Sequence, residues 1–264
     1  VSKIALWTGQ DIREHSLLVW TDQGLGDTIQ MARWLPMIDA KMIYLYVEAP
    51  AFNLMRYNFA SEKLEVRMKG WAFPRTDYHV PMTSLMAVFH AEPGKIPLGR
   101  YLKAPEWTSP WSDPHRYDAN PLRIGINWKG NAAFSRDGTR SMPLEMMRPL
   151  FDCGSIVSLQ KGNAQQDING HPVVDLMDAC HDLLDTASLI DSLDVVVTTD
   201  TVIPHLAGAL GKRTYLLEQW ETEWRWGFGE TSPWYDTVHV LRQEVRNDWP
   251  SAVAKVRERL RVAS

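Results

Sequence analysis

The sequence predicts an α/β protein with two successive parallel sheets. Three observations carry that expectation: short apolar runs alternating with helical segments, a proline-rich break between two such series, and a strand that turns directly into a capped helix. In the first series, strands are expected at 16–20, 42–47 and 64–68, with helices at 28–38 and 51–59 between them. Strands that alternate with helices run in one direction, which makes the sheet parallel. Pro105, Pro110, Pro114 and Pro121 then crowd a stretch where few regular elements can form, so 105–122 reads as a linker. The second series restarts with strands at 123–128, 155–160, 194–199, 213–217 and 237–241. Asp248 is placed to cap a last helix over 249–262, with Arg257, Arg259 and Arg261 as its solvated face.

The run 193–212 is the most specific local signal. Asp200 and Thr201 are helix-capping residue types, Pro204 suits a first turn and Gly211 suits the position after a helix end, which predicts a helix over 202–210. Its free N–H groups and positive dipole end open at the carboxyl edge of the sheet, where α/β proteins seat anions. Any βα unit needs such a cap, so this start alone does not require a ligand.

With 264 residues, 45% of them hydrophobic and 23% charged, the chain has the composition of a soluble globular protein and room for two small domains. No apolar run reaches the ~20 residues of a membrane span, and no charged-then-apolar leader opens the chain; a cytoplasmic location is expected. The first residue is Val, consistent with a processed start or a piece of a longer chain. Cys153 and Cys180 lack CxxC spacing, and neither Asp-x-Asp nor HExxH occurs, so no metal site and no cofactor is expected. A net charge of −4 argues against broad nucleic-acid binding and leaves a small-molecule partner.

Several polar residues fall at strand ends. In Gln23-Gly24-Leu25-Gly26-Asp27, Gly24 and Gly26 permit a tight turn and close ligand approach, while Asp27 is either a helix cap or a general base. The third glycine of a dinucleotide fingerprint is missing, and Glu48 sits only loosely where a ribose-binding acid belongs. Two strands of the second series end alike, in Asn127-Trp128-Lys129-Gly130-Asn131 and Leu159-Gln160-Lys161-Gly162-Asn163. Lys129 and Lys161 are either phosphate partners or solvated, and Arg136 and Arg140 lie in the next loop. His205 either reaches a ribose or phosphate or packs. Trp220, Trp224, Trp226 and Trp234 read mainly as packing, with Arg225 able to pair with phosphate.

Taken in order, Gln23-Gly24-Leu25-Gly26-Asp27-Thr28-Ile29-Gln30, Val157-Ser158-Leu159-Gln160-Lys161-Gly162, Asp185-Thr186-Ala187-Ser188-Leu189-Ile190, Asp200-Thr201 through Lys212, and Trp224-Arg225-Trp226 span most of the chain. Together they resemble the bacterial glycosyltransferase domain found behind tetratricopeptide repeats. That domain is related to the family 9 heptosyltransferases and, more distantly, to O-GlcNAc transferases. The resemblance implies a GT-B fold, in which two Rossmann-like domains turn parallel sheets toward a cleft. An acceptor domain would cover 1–104, a nucleotide-sugar domain 123–246, and a terminal helix at 247–264 would pack back on the first domain. By position, Asp27 matches the proposed base, with Gln23, Gly24 and Gly26 as its cleft loop. Asp200, Thr201 and His205 match the helix start that holds the donor diphosphate, Lys161 a phosphate-side lysine, and Arg140 a basic residue of heptosyltransferases. Asn131, Gln160 and Thr186 complete the implied donor set. The stretch 217–223 is more acidic than the family's proline-containing loop, and the repeats themselves are absent from this chain.

The implied activity is metal-independent, inverting transfer of a sugar from a nucleotide-diphospho-sugar to an acceptor hydroxyl. That hydroxyl belongs to a glycan, lipid-linked sugar, protein or modified base. Two other readings are a non-catalytic nucleotide-sugar-binding or scaffold domain and a GT-B sugar-nucleotide epimerase.

Overall fold

The structure, a computed structural model, describes residues 4–92, 94–107 and 122–262. The first sheet holds β1 (Ala5–Leu6), β2 (Ile12–Trp20), β3 (Ala40–Val47), β4 (Leu64–Met68) and β5 (Tyr78–Pro81) in the order β1-β5-β2-β3-β4. The second holds β6 (Arg123–Asn127), β7 (Ser155–Ser158), β8 (Val173–Asp175), β9 (Val195–Thr199), β10 (Thr214–Glu218) and β11 (Val238–Arg242). Its order is β11-β10-β9-β6-β7-β8, and both sheets are parallel throughout. Every residue of β9 and β10 is buried, as expected of strands covered on both faces.

The helices are α1 (Leu25–Ala32), α2 (Ala49–Phe59), α3 (Leu85–Val88), α4 (Asp137–Arg140), α5 (Leu183–Asp191), α6 (Val202–Ala209) and α7 (Trp249–Val262). The helix expected at 28–38 starts earlier and stops at Ala32, and the chain goes on as a 3₁₀ turn at Leu35–Met37. Pro36 lacks the N–H that an α-helix would need there. Pro50 is tolerated in a first turn, so α2 begins two residues before the expected 51. β1, β5, β8 and α5 have no counterpart among the expected elements. Of the expected linker, Pro110, Pro114 and Pro121 lie outside the described residues.

Helix α6 follows the expected design. Thr201 caps it by accepting from the Ile203 N–H at 3.2 Å. At its other end Lys212 donates to the Ala207 carbonyl and Gly211, at φ +69°, to that of Gly208, the bonding of a Schellman motif.

Helix α1 packs on α6 and α2 on α5, so one apolar cluster runs from Leu17, Val19 and Leu45 through these helices to Val157 and Leu216. A second cluster covers the other face of the second sheet, where Trp249, Val253 and Val256 of α7 meet Leu144, Met147 and Tyr215. The terminal helix thus packs on the second half, where the resemblance implied the first; Val253 and Val256 find their apolar partners on β10, β11 and the 3₁₀ segment Leu144–Leu150. Its arginines do more than face water, because Arg257 pairs with Asp152 at 2.5 Å and Arg259 with Glu230 at 2.7 Å.

Candidate functional site

Counted along its own series, the second sheet runs 3-2-1-4-5-6 from β8 to β11, and the strand order reverses between β6 and β9. Helices leaving those two strands diverge to opposite sides, which opens a crevice at the carboxyl ends and makes it the usual ligand position. Asn127 ends β6, and Asp200-Thr201 follow β9. Thr201 Oγ1 donates to Asn127 Oδ1 at 2.9 Å, and Asn127 Nδ2 donates to Gln160 Oε1 at 2.9 Å. Gln160 Oε1 also accepts from the Lys129 N–H at 2.9 Å. Gln160, expected in the donor set, is buried and ties the ends of β6 and β7 together.

The first sheet reverses between β2 and β5, and the glycine turn leaves β2 at that point. Gly24 opens α1 without a side-chain cap, and Asp27 lies in the first turn with its carboxylate on Arg225. The cap reading of Asp27 is therefore set aside. Gly26 faces a protein neighbour: a Cβ there would stand 2.7 Å from His205 Cδ2. The glycine lets α1 and α6 touch.

Arg225 and Trp226, adjacent in the loop after β10, reach the two halves of the site. Arg225 donates through Nε to Asp27 Oδ1 at 3.2 Å, through Nη2 to the same oxygen, and through Nη1 to Glu223 Oε1 at 2.6 Å. Burial works against the guanidinium charge, but Asp27 and Glu223 outweigh it and raise its pKa. Trp226 is fully buried and donates its indole N–H to Asp200 Oδ1 at 3.0 Å. Burial pushes the Asp200 carboxyl up, opposed by that indole bond and by the charges of Arg140 and Arg225. Burial and the Asp200 charge push Glu218, at the end of β10, up to about 8. Glu218 Oε1 accepts from the Glu223 N–H at 3.1 Å, while Oε2 is buried without a protein partner.

The remaining expected residues divide. His205 is buried between Gly26, the Trp226 ring at 4.9 Å and the Tyr235 hydroxyl, hydrogen-bonded to Nδ1 at 3.0 Å. Burial, with Arg225 and Arg33 nearby, lowers its pKa to about 3. Arg140 pairs with Asp137 at 3.0 Å, lies 4.6 Å from the Phe134 ring centre, and its charge acts on Asp200. Lys161 turns its ammonium to the Cys180 carbonyl, and Lys129 pairs with Asp167 at 2.6 Å. Thr186, buried on α5, donates to the Asp182 carbonyl at 2.9 Å. Asn131 is exposed and accepts from the Ala133 N–H at 3.0 Å, and Gln23 is exposed in the glycine turn. The structure thus brings together Asp27, Asp200, Thr201 and Arg140, with Arg225, Trp226, Glu218 and Glu223 in addition. Among the described residues, no group of three or more His, Cys, Asp or Glu side chains is arranged to hold a metal ion. No helix there is long and apolar enough to cross a membrane.

This arrangement has the fold of known glycosyltransferases. The chain is similar to the glycosyl transferase family 9 structure from Veillonella parvula, with a TM-score of 0.66 and 15% identity over 97% of this chain and 100% of that one. ADP-heptose lps heptosyltransferase II of E. coli matches with a TM-score of 0.58 and 14% identity over 94% of this chain and 99% of that one. The E. coli heptosyltransferase WaaC with ADP-2-deoxy-2-fluoro heptose matches with a TM-score of 0.54 and 13% identity over 94% and 100%. In sequence, the chain is 22% identical over 287 aligned positions to Protein FlbA of Caulobacter vibrioides, covering 97% of this chain and 48% of FlbA. It spans about half the length of that relative. No protein-family model matches the chain.

Proposed function

We propose that the chain is a GT-B glycosyltransferase that moves a sugar from a nucleotide-diphospho-sugar to an acceptor hydroxyl by an inverting, metal-independent route. The acceptor domain is 1–104 and the donor domain 123–246. The observation that carries this reading is the meeting of Asp27 and the Asp200-Thr201 helix start across the single dipeptide Arg225-Trp226. The similar structures, a family 9 glycosyl transferase and a heptosyltransferase with ADP-2-deoxy-2-fluoro heptose, support a donor of that chemical class.

In the proposed reaction the donor diphosphate lies at the start of α6, within the field of Arg140. The acceptor oxygen bonds to the anomeric carbon as its proton passes to the Asp27 carboxylate. The bond from that carbon to the diphosphate oxygen breaks with its electron pair, and the nucleoside diphosphate leaves. Fixed dipoles and cations favour this step because negative charge grows on the leaving oxygen in a partly dry site.

A thermal-shift screen of nucleotide sugars, followed by mass-spectrometric detection of transfer from the best binder to candidate acceptors, tests the proposal. Asp27→Asn is expected to lower turnover by about 10²–10⁴, the usual worth of a general base. Absence of both transfer and donor hydrolysis with every binder, or full turnover in Asp27→Asn, would reject it. The non-catalytic reading draws on one observation, that Asp27 is already held by Arg225.

A further inference from the structure

Arg225 holds one carboxylate oxygen of the proposed base. Both Nε and Nη2 donate to Asp27 Oδ1, which commits that atom's lone pairs to N–H donors. The guanidinium is also clamped by Glu223 at 2.6 Å and covered by the Trp224 ring, whose centre lies 4.6 Å from Cζ. Its backbone is anchored one residue on, where Trp226 is fully buried on Asp200 and His205. The base of the side chain is therefore fixed beside the start of α6, while its head is turned across to α1.

Other cations are committed elsewhere. Lys161 donates to the Cys180 carbonyl, Lys129 pairs with Asp167, and Lys212 donates to the carbonyls of Asp191 and Leu193. The charges acting on Asp200, next to the cap of α6, are those of Arg140 and Arg225 on the positive side and Glu223 on the negative. A diphosphate entering there meets two guanidiniums that are each already on a carboxylate, Arg140 on Asp137 and Arg225 on Asp27. A guanidinium fork matches phosphate oxygens as well as it matches a carboxylate, and it cannot serve both at full strength.

We propose that Arg225 is the cation that receives the donor diphosphate and that it does so by leaving Asp27, so that donor binding unmasks the base. This rests on the glycosyltransfer reading and deepens it. With no donor, the Asp27 carboxylate is held by the Arg225 guanidinium. With donor, Arg225 neutralises the leaving group and the freed carboxylate faces the acceptor. Donor therefore binds before the acceptor is activated.

The test is a double-mutant cycle read by calorimetric titration of the whole chain with ADP, UDP, GDP and inorganic pyrophosphate. Asp27→Asn, which releases Arg225, is expected to tighten binding of the best of these probes about fivefold or more. Arg225→Gln is expected to weaken it about tenfold or more, and Arg225→Lys less, since a point charge replaces the fork. In the Arg225→Gln background, Asp27→Asn is expected to give no gain, which separates release of Arg225 from simple removal of a negative charge. Melting curves confirm that each variant is folded. Equal affinity in wild type and Asp27→Asn, wild-type affinity in Arg225→Gln, or a gain from Asp27→Asn that persists without Arg225 would overturn the inference and leave the glycosyltransfer reading standing. Failure of the wild type to bind any of the four probes would remove the donor site, and both with it.

Discussion

Gly26 and His205 meet so closely that a single methyl group would not fit between them. The nearest ring atom stands 2.7 Å from where a Cβ on Gly26 would lie, and the ring is held from behind by Tyr235 and Trp226. Neither helix backbone nor ring can yield cheaply. Gly26→Ala is expected to destabilise the protein by about 1–3 kcal/mol, the usual cost of overpacking a close contact. Thermal or urea unfolding measures it, and an unchanged midpoint would show that α1 and α6 are free to separate.

The same histidine makes stability acid-sensitive. Its pKa is about 3 in the fold and 6.5 unfolded, so the unfolded chain takes up a proton that the folded one refuses. The stabilisation is complete above about 6.5 and is lost as pH falls through that range toward 3. His205→Gln, which does not titrate, is expected to flatten the acid limb of the unfolding free energy by up to a few kcal/mol. Parallel profiles for the two proteins would refute the assignment.

Glu218 acts in the opposite sense. Its carboxyl keeps a proton up to about 8 when folded and loses it near 4.5 when unfolded, because burial and Asp200 disfavour a second negative charge. Stability from this group is full below about 4.5 and is lost as pH rises through 8. Glu218→Gln is expected to be more stable than wild type at about pH 8.5, by up to a few kcal/mol, with the gap closing toward about pH 5. Melting curves across that range check it, and a gap of constant size would contradict it.

The placement of the cations ranks them for nucleotide binding. Lys161→Ala is expected to change ADP affinity by less than about threefold, since its ammonium lies on the Cys180 carbonyl. Arg140→Ala, whose charge acts on Asp200, is expected to weaken it by about tenfold. Isothermal titration compares the two directly, and the reverse order would return the phosphate to Lys161.

What the sequence made legible was local. The apolar strands of both sheets and the capped start of α6 could be read because each signal lies within about ten residues of itself. β1 and β8 escaped because two or three residues show no alternation, and β5 because His79 and Pro81 interrupt it. α1 ends short of the expected 38 because the apolar pattern runs on through Pro36, where the helix cannot. For the site, residue type was legible but direction was not. Gln160 and His205 have the chemistry of ligand-binding groups, yet both are turned inward and spent on neighbours. The Arg225–Asp27 pair joins residues 198 apart, a distance over which no periodicity informs.

The cluster that passes from the first sheet through α1, α2, α5 and α6 to the second belongs to neither half alone. Cleaving the polypeptide near residue 105 would strand two oily faces in water, so each fragment is expected to aggregate or to recombine with its complement. In folding, as in the chemistry proposed for it, the working unit is the pair.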